Sequence, residues 1–210
     1  MGTQNKVGKF IVLEGIDGSG KSTQARFLAN KLKAVLTFAP GATDMGKTLR
    51  SLVLEKQNMS AVTETLLMLA DRSIHVDQVI TPNVVAGNWV ICDRFNGSTL
   101  AYQGYGRGLD ITALNLLVAF SSRNVTPDLN ILLDLPVTEA LKRQGMRSKD
   151  KDRLESQSIE FYEKVRQGYL EIAALNPEYW TVIDGMSTLK KVEAEVLKAV
   201  KSKFGPLIRD

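Results

Sequence analysis

The sequence contains very little of the two residue types that most often cross-link a chain or bind structural metals. Its 210 residues include one cysteine, Cys92, and one histidine, His75. A single chain therefore cannot assemble a disulfide framework or a cluster of cysteine and histidine metal ligands. We expect Cys92, which lies inside an apolar run, to be a small core residue. We expect His75, for which the sequence places no partner, to lie at the surface or at an interface.

The sequence also lacks a long hydrophobic run. No segment approaches the about 20 apolar residues of a membrane-spanning helix, and residues 1–9 are polar with no apolar secretion signal behind them. Hydrophobic residues at 44% and charged residues at 24% are typical of a folded globular domain. We therefore expect a single domain over residues 1–210, located in the cytoplasm, with no membrane partner.

The excess of positive charge is small and local. The formal net charge is +4, and residues 142–155 alone hold six basic and three acidic side chains. A segment of this kind is usually a solvated face, so we expect no nucleic-acid partner.

Short apolar runs of strand length alternate with helical patterns along the chain. The runs lie at residues 10–13, 34–38, 89–92, 129–135 and 179–183. Apolar residues at helical spacing mark residues 27–32, 61–85, 114–120, 155–175 and 189–204, and we expect Pro82 to kink or end the second of these helices. This alternation predicts an α/β fold, a doubly wound parallel sheet of about five strands with helices on both faces.

A glycine-rich segment follows the first apolar run and matches the Walker A pattern for binding nucleotide phosphates. It reads GIDGSGKS over residues 15–22. Gly18 and Gly20 allow backbone conformations in which consecutive N–H groups point inward at an anion. Lys21 adds a positive charge at the outer phosphates, and the Ser22 hydroxyl is placed to bind Mg²⁺. The motif predicts phosphate binding but leaves the phosphate acceptor open.

An acidic and a basic residue directly follow the run at residues 89–92. Asp93 and Arg94 therefore emerge at the carboxyl edge of the predicted sheet, where ligands bind in this architecture. Asp93 can hold Mg²⁺ through water or accept a hydrogen bond from Ser22, and Arg94 can clamp a phosphate. Residues 110–140 contain no Asn-Lys-x-Asp motif of a GTPase, and the pair differs from the Asp-Glu of helicases and motor ATPases.

Two longer segments of the sequence resemble one protein family. FIVLEGIDGSGKSTQ, at residues 10–24, and DRFNGSTLAYQG, at residues 93–104, resemble bacterial thymidylate kinases, and the likeness continues at residues 107–110, 127–129 and 152–155. The resemblance implies a P-loop nucleoside-monophosphate-kinase fold and a homodimer. It also implies transfer of a phosphoryl group from ATP, with Mg²⁺, to dTMP, which yields the dTDP needed for dTTP.

The same resemblance assigns roles to individual residues. It implies that Arg94 and Arg72 grip the acceptor phosphate and that Asp17 lies near the sugar 3′-hydroxyl and the metal. Met68 occupies a position where relatives often stack a phenylalanine on thymine, and it can face either the base or the helix core. The resemblance assigns recognition of thymine and deoxyribose to Ser98, Thr99, Tyr102 and Gln103. It assigns ATP binding to Gly15, Ile16, Asp17, Gly18, Ser19, Gly20, Lys21, Ser22 and Thr23. It assigns metal binding to Ser22 and Asp93.

The basic segment at about residues 143–153 gains a role from this resemblance. Relatives whose phosphate loop lacks an arginine supply catalytic arginines from a mobile lid, and here Gly18 and Ser19 stand in the loop. A guanidinium that arrives late stabilises the charge that spreads over the transferred phosphoryl group. The catalytic residues that we expect are Lys21, Asp17, Arg94, Arg147 and Arg153.

The chain departs from its relatives after the second predicted strand. Relatives commonly have Arg-Glu-Pro-Gly-Gly-Thr there, whereas residues 38–43 read FAPGAT, so two charged side chains are absent. We expect reduced catalytic efficiency or a broader choice of pyrimidines. Two alternatives stay open, namely another pyrimidine nucleotide or deoxynucleoside kinase of the same fold, and a nucleotide-binding P-loop protein with weak or no kinase activity.

Overall fold

Five parallel strands form one sheet in the part of the chain that the computed structural model describes, residues 7–55, 58–145 and 157–205. The strands are β1 (Phe10–Glu14), β2 (Val35–Phe38), β3 (Val90–Asp93), β4 (Leu129–Asp134) and β5 (Trp180–Asp184). Their order across the sheet is β2-β3-β1-β4-β5. The predicted parallel sheet is confirmed, although β3 begins and ends one residue later than its apolar run, so that Asp93 belongs to the strand.

Helices connect these strands. They are α1 (Lys21–Leu32), α2 (Asp44–Glu55), α3 (Ala61–His75), α4 (Thr81–Val85), α5 (Asn96–Thr99), α6 (Ile111–Ser121), α7 (Val137–Gly145), α8 (Ile159–Leu175) and α9 (Leu189–Phe204). Two segments have π-helical geometry, Val76–Ile80 between α3 and α4, and Leu100–Gly106 after α5. No helix within the described ranges is both long enough and apolar enough to cross a membrane.

Side chains of β1 alternate between two cores, one on each face of the sheet. Ile11 and Leu13 pack in a core with α1 and α9, whereas Phe10 and Val12 pack against the π-helical segment that follows α3. A third core, formed by α7, α8 and the second π-helical segment, includes Leu132 of β4. Every residue of β1 is buried, as expected for a central strand covered on both faces.

The sequence pattern did not predict α2. Gly46 lies in its first turn, and glycine is a poor helix former because its backbone loses the most conformational freedom. Space explains the glycine, since a Cβ at position 46 would lie 2.4 Å from Asp71 Oδ1. Close packing between α2 and α3 therefore overrides the local preference.

The helix predicted over residues 61–85 is present but changes geometry in its middle. After α3 the backbone widens into the π-helical segment, and the N–H of Thr81 donates to the carbonyl of Val76. Pro82, which has no N–H, lies at the start of α4. The helix therefore continues past Pro82, and the wider turn accommodates the missing donor.

The histidine lies in the interior. The prediction that His75 lies at a surface or an interface is wrong, because its side chain is 0% exposed and its Nε2 lies 2.7 Å from Thr37 Oγ1 on β2. Burial, aided by the charge of Arg72, lowers the pKa of His75 to about 3. The ring is therefore neutral at pH 7. Cys92 is fully buried in the core, as predicted.

This burial predicts a loss of stability as the pH falls from 7 to 5.5. The unfolded chain takes up a proton on His75 near its ordinary pKa of 6.5, whereas the folded chain does so only near pH 3, so the unfolded state binds more protons in this window. We expect the free energy of unfolding to fall by roughly 1 kcal/mol. Urea titrations of the wild type and of His75→Gln measure the effect. A pH dependence as large in the variant as in the wild type would contradict the assignment.

Candidate active site

The phosphate loop between β1 and α1 has the backbone geometry of an anion cradle. Gly15, Gly18 and Gly20 have positive φ angles of 143°, 82° and 93°. Space also requires glycine at position 18, because a Cβ there would lie 2.1 Å from the carbonyl oxygen of Ala140. The loop can therefore turn its N–H groups inward, as the motif predicts.

The start of α1 carries positive charge. Among the described residues no side chain caps this helix at Gly20, so the positive end of the helix dipole is open to a ligand. Lys21 is 6% exposed, and its Nζ lies 3.3 Å from Ile16 O and 3.3 Å from Asp17 Oδ1. Burial, and then the charge of Arg94, lowers the pKa of Lys21. A bound anion would stabilise the charged lysine and the helix start together.

A cavity of about 300 Å³, the outer cavity, opens beside the loop. Lys21, Ser22, Arg50, Asp93 and Arg94 are in its wall. The Oδ1 atom of Asp93 is buried and has no hydrogen-bond partner among the described residues. Hydroxyl, carboxylate and phosphate oxygens are the ligands that Mg²⁺ prefers, so these side chains fit a magnesium ion that is held jointly by protein and phosphate. Within the described ranges no group of three or more acidic, histidine or cysteine side chains could hold a metal alone.

A second cavity of about 130 Å³, the inner cavity, adjoins the first. Asp17, Ala39, Arg50 and Arg94 line both cavities, so these four residues form a shared wall. The seven residues that the resemblance assigns to dTMP all line the inner cavity: Met68, Arg72, Arg94, Ser98, Thr99, Tyr102 and Gln103. The fold thus brings together side chains from α3, the end of β3, α5 and the π-helical segment Leu100–Gly106.

The other predicted loop residues are placed differently. Of the nine residues expected to bind ATP, only Asp17, Lys21 and Ser22 line the outer cavity. The Ile16 side chain is 3% exposed and packs in the core with α7 and α8, and the Ser19 side chain is equally buried. Thr23 lies within the first turn of α1. Apart from Asp17, Lys21 and Ser22, the loop therefore offers mainly its backbone to a ligand.

Arg94 is the most connected side chain of the shared wall. Its Nη2 donates to Asp17 Oδ1 at 2.6 Å and to Tyr102 Oη at 3.1 Å. Its Nη1 donates to Ser98 Oγ and to Tyr169 Oη, each at 3.1 Å. The backbone of Arg94 is left-handed, with φ of 74°. An uncommon backbone conformation and four side-chain contacts together aim one guanidinium at the point where the cavities meet.

Asp17 balances the charge of that guanidinium. Burial alone would raise the pKa of Asp17, but the charges of Arg94 and Lys21 outweigh it and hold that pKa well below its usual value. Tyr102 Oη also donates to Asp17 Oδ2 at 3.0 Å. Asp17 is therefore an ionised hydrogen-bond acceptor over the whole physiological range.

Glu14, at the end of β1, supports Arg94 from behind. It is fully buried and accepts hydrogen bonds from the backbone N–H groups of Phe95 and Ser98, at 2.9 and 3.1 Å. It also accepts from Ser98 Oγ at 2.6 Å and from Tyr169 Oη at 3.0 Å. Ser98 and Tyr169 are the two side chains that contact Arg94 Nη1. Glu14 therefore fixes the groups that fix Arg94.

Arg72 differs from Arg94 in having unused donors. It is 4% exposed, and its guanidinium lies over the ring of Phe95 at 4.3 Å from the centroid. Its Nε and Nη1 atoms are buried without a hydrogen-bond partner among the described residues. Arg72 lines only the inner cavity, together with Met68. An acceptor atom on a ligand is the missing partner for these donors, and the position of Met68 favours contact with a ligand over a pure core role.

Sequence reasoning missed three residues of the site. Arg50 lies on the unpredicted helix α2, lines both cavities and donates from Nη1 to Pro40 O at 2.9 Å. Glu14 and Tyr169 lie behind Arg94 and contact it directly or through Ser98. A carboxylate at the end of a buried strand is the one local signal that could have pointed to Glu14, since such a group requires partners.

The structure describes only residues 143–145 of the predicted lid segment at about residues 143–153. Arg147 and Arg153 lie outside the described residues. Arg143 lies in the last turn of α7. Its Nε lies 3.1 Å from Glu139 Oε1, and its Nη1 donates to Gly185 O at 2.9 Å. Arg143 does not line the inner or the outer cavity.

The parallel sheet, the phosphate loop after its central strand and the two adjoining cavities define a P-loop kinase of the nucleoside-monophosphate type. Comparison with known proteins narrows this class. The family model for thymidylate kinase matches residues 13–196. The chain therefore belongs to the thymidylate kinase family.

Individual relatives agree over almost the full length. A thymidylate kinase of Prochlorococcus marinus (strain NATL1A) is 42% identical over 207 residues, which cover 92% of this chain and 96% of the relative. One from Carboxydothermus hydrogenoformans is 42% identical over 195 residues, covering 90% and 95%. The crystal structure of thymidylate kinase from Ehrlichia chaffeensis is similar with a TM-score of 0.77 at 34% identity, covering 92% of this chain and 98% of that one.

The contacts of Tyr169 predict that its hydroxyl stabilises the fold. Tyr169→Phe leaves Glu14 and Arg94 each without one buried hydrogen-bond partner, so we expect the free energy of unfolding to fall by about 1–3 kcal/mol. Urea denaturation measures it. Tyr179→Phe is the matched control, because Tyr179 is 48% exposed, and its effect should stay within about 0.5 kcal/mol. Equal losses in the two variants would contradict this role of Tyr169.

Proposed function

We propose that the protein transfers the γ-phosphoryl group of ATP to dTMP and releases ADP and dTDP. The observation that carries this proposal is the shared wall between two cavities. One cavity adjoins the phosphate loop, and the other gathers the residues that match the dTMP site of the family. Transfer of a phosphoryl group between two nucleotides requires the donor and acceptor sites to adjoin, as these two cavities do.

The donor phosphates belong in the outer cavity. The loop backbone, the open helix start and Lys21 supply positive potential there. Ser22 and Asp93 would hold Mg²⁺ with the phosphate oxygens. When bound, the ion would neutralise charge that develops on the phosphates.

The acceptor phosphate belongs at the shared wall. Arg94 and Arg50 are the two arginines that line both cavities, so we assign the grip on this phosphate to them. Arg72 lines the inner cavity only, and its unused donors suit the neutral carbonyl oxygen of a pyrimidine better than a phosphate at the far wall. The geometry thus favours a role for Arg72 that differs from the one implied by the resemblance.

The sugar lies between these two ends. Asp17 and Tyr102 face the inner cavity and are hydrogen-bonded to each other. The Asp17 carboxylate can accept a hydrogen bond from the 3′-hydroxyl. The buried Tyr102 ring occupies volume beside it, which disfavours an additional 2′-hydroxyl and so selects a deoxyribose.

The charges of the wall also suit the chemistry. Negative charge spreads over the transferred phosphoryl group, and buried cations held in place before the reaction stabilise it most effectively. Lys21 and Arg94 are such cations, and Asp17 keeps Arg94 oriented. The roles of Arg147 and Arg153 as catalytic residues stay predictions, as do the cytoplasmic location and the absence of a nucleic-acid partner.

An ADP-release assay with single variants tests this function. We expect Lys21→Ala to lower kcat by roughly 10²-fold or more, because a positioned charge on the transferred group is lost. Arg94→Ala should lower kcat/KM for dTMP by a similar factor while the KM for ATP changes little. Arg123→Ala is the matched control, since its exposed ion pair with Asp77 lies outside both cavities. Equal activity of all four proteins would remove the proposed mechanism.

The same assay with dTMP, dUMP, dCMP and dAMP separates the alternatives. A deoxynucleoside kinase would not need two arginines at the shared wall, so activity on thymidine without activity on dTMP would replace this proposal. Binding of ATP with no turnover of any acceptor would favour the nucleotide-binding alternative. Because two charged side chains are absent from residues 38–43, we still expect lower catalytic efficiency or a broader choice of pyrimidine monophosphates in this assay.

We further propose a homodimer formed by α3 and α6, which contact each other. Each helix exposes an apolar pair one turn apart: Val62 and Leu66 on α3, and Leu116 and Phe120 on α6, with exposures of 57%, 55%, 71% and 84%. Apolar side chains contiguous on two neighbouring helices are typical of an interface between subunits. A second copy with the same surface is a self-complementary partner.

Charge placed in this surface should separate the subunits. We expect Phe120→Asp to sediment as a monomer at a concentration where the wild type is a dimer, because an unpaired charge cannot be buried at low cost. Leu175→Asp is the matched control, since Leu175 is 77% exposed on a different helix and should leave the dimer intact. A monomeric wild type, or a dimeric Phe120→Asp, would contradict the proposed interface.

A further inference from the structure

Gln103 is the one primary amide in the wall of the inner cavity, among the described residues. It is 2% exposed and lies in the π-helical segment Leu100–Gly106. Its Nε2 donates to Glu64 Oε1 at 2.8 Å. Glu64 is on α3 and is 1% exposed, so this hydrogen bond is shielded from water. The orientation of the amide is therefore decided inside the protein.

A carboxylate can only accept hydrogen bonds, whereas an amide has a donating and an accepting end. The NH₂ end of Gln103 must consequently face Glu64, and the carbonyl oxygen is the end left for the cavity. Rotation of the amide by 180° would place two oxygens against each other in a buried site. Such a contact is strongly unfavourable where no water can intervene.

Arg107 keeps the carboxylate in this role. Its Nη2 lies 3.2 Å from Glu64 Oε2 and its Nε lies 3.4 Å from Glu64 Oε1. The guanidinium is itself held by Gln157 Oε1 at 2.7 Å and lies over the ring of Phe161 at 4.7 Å. A guanidinium can only donate hydrogen bonds, so Arg107 engages both oxygens of Glu64 as acceptors.

We propose that Glu64 is a specificity-determining positioning residue, which fixes the Gln103 amide as an acceptor and so selects pyrimidines that carry a proton on N3. The proposal rests on the proposed function, in which the inner cavity holds a pyrimidine monophosphate. Glu64 does not line that cavity, so its proposed effect on the base passes through Gln103. Thymine and uracil present an N3–H donor, whereas the N3 of cytosine is an acceptor.

Arg72 complements this arrangement from the neighbouring wall. Its unpartnered donors match the 4-carbonyl oxygen of thymine or uracil, while the acceptor of Gln103 matches N3–H. Cytosine reverses both groups, with an amine at position 4 and a lone pair at N3. A donor and an acceptor, each fixed by buried neighbours, therefore reject cytosine at two adjacent atoms.

Glu64→Gln tests the proposal by making the amide of Gln103 free to turn. The new side chain can accept from the Gln103 nitrogen or donate to its oxygen, so either end can face the cavity. We expect the ratio of kcat/KM for dTMP to kcat/KM for dCMP to fall about tenfold. Arg72 remains and keeps part of the preference. The ratio for dTMP to dUMP should not change, because these acceptors differ only by a methyl group and share the same N3–H.

Several outcomes would overturn the proposal. A wild type that uses dCMP as well as dTMP would overturn it, and so would a variant in which both acceptors lose the same factor, since that indicates a structural role alone. Glu160→Gln, in an exposed pair with Lys164, is the control and should leave every ratio unchanged.

If Glu64→Gln does not fold, Gln103→Leu decides the question. It removes the amide and should lower the same dTMP to dCMP ratio. An unchanged ratio in Gln103→Leu would mean that this amide does not read N3, which overturns the proposal. A wild type without any turnover of dTMP would instead refute the proposed function, so the two failures are distinguishable.

Discussion

The site depends on the ion pair between Arg94 and Asp17. Nη2 and Oδ1 are 2.6 Å apart, and both side chains are largely withdrawn from water. Removing one partner of such a pair leaves an uncompensated charge in a poorly solvated place, which is far more costly than the pair itself. The pair also joins the phosphate loop after β1 to the end of β3. The pair therefore helps to fix the positions of the outer and inner cavities relative to each other.

The two buried arginines of the site, Arg94 and Arg72, differ in how many of their donors have hydrogen-bond partners. Arg94 has a partner at both terminal nitrogens, and a phosphate at the shared wall adds to contacts that already exist. Arg72 is buried with donors that no described residue satisfies. The desolvation of those donors is a cost of folding that a ligand carbonyl can offset. One arginine is thus preorganised by protein groups, whereas the other keeps donors that the proposed substrate can satisfy.

The strands and the phosphate loop could be predicted from the sequence because their signals are local. A run such as residues 10–13 followed by GIDGSGKS specifies a strand, a turn and a helix within a few neighbouring positions. The support behind Arg94 could not be predicted, since Glu14 and Tyr169 are 155 positions apart in the chain and meet only through packing. His75 was misplaced for the same reason, because its partner Thr37 lies on another element. The role of Arg50 could not be predicted because it lies on α2, and Gly46 in the first turn of α2 weakens the helical signal of that segment.

The altered loop at residues 38–43 removes charge of both signs from the walls of the cavities. Phe38 and Ala39 line the outer cavity without charge, where relatives commonly place an arginine and a glutamate. Arg50, held at Pro40 O, supplies a positive charge at the same wall, whereas the described residues offer no acid in place of the glutamate beyond Asp17 and Asp93. One positive and one negative charge are absent, so the sum of the charges at these two positions does not change. The loop therefore alters where charge lies around the phosphates rather than how much of it the cavities hold, and any effect on turnover would come from how the phosphate groups are positioned.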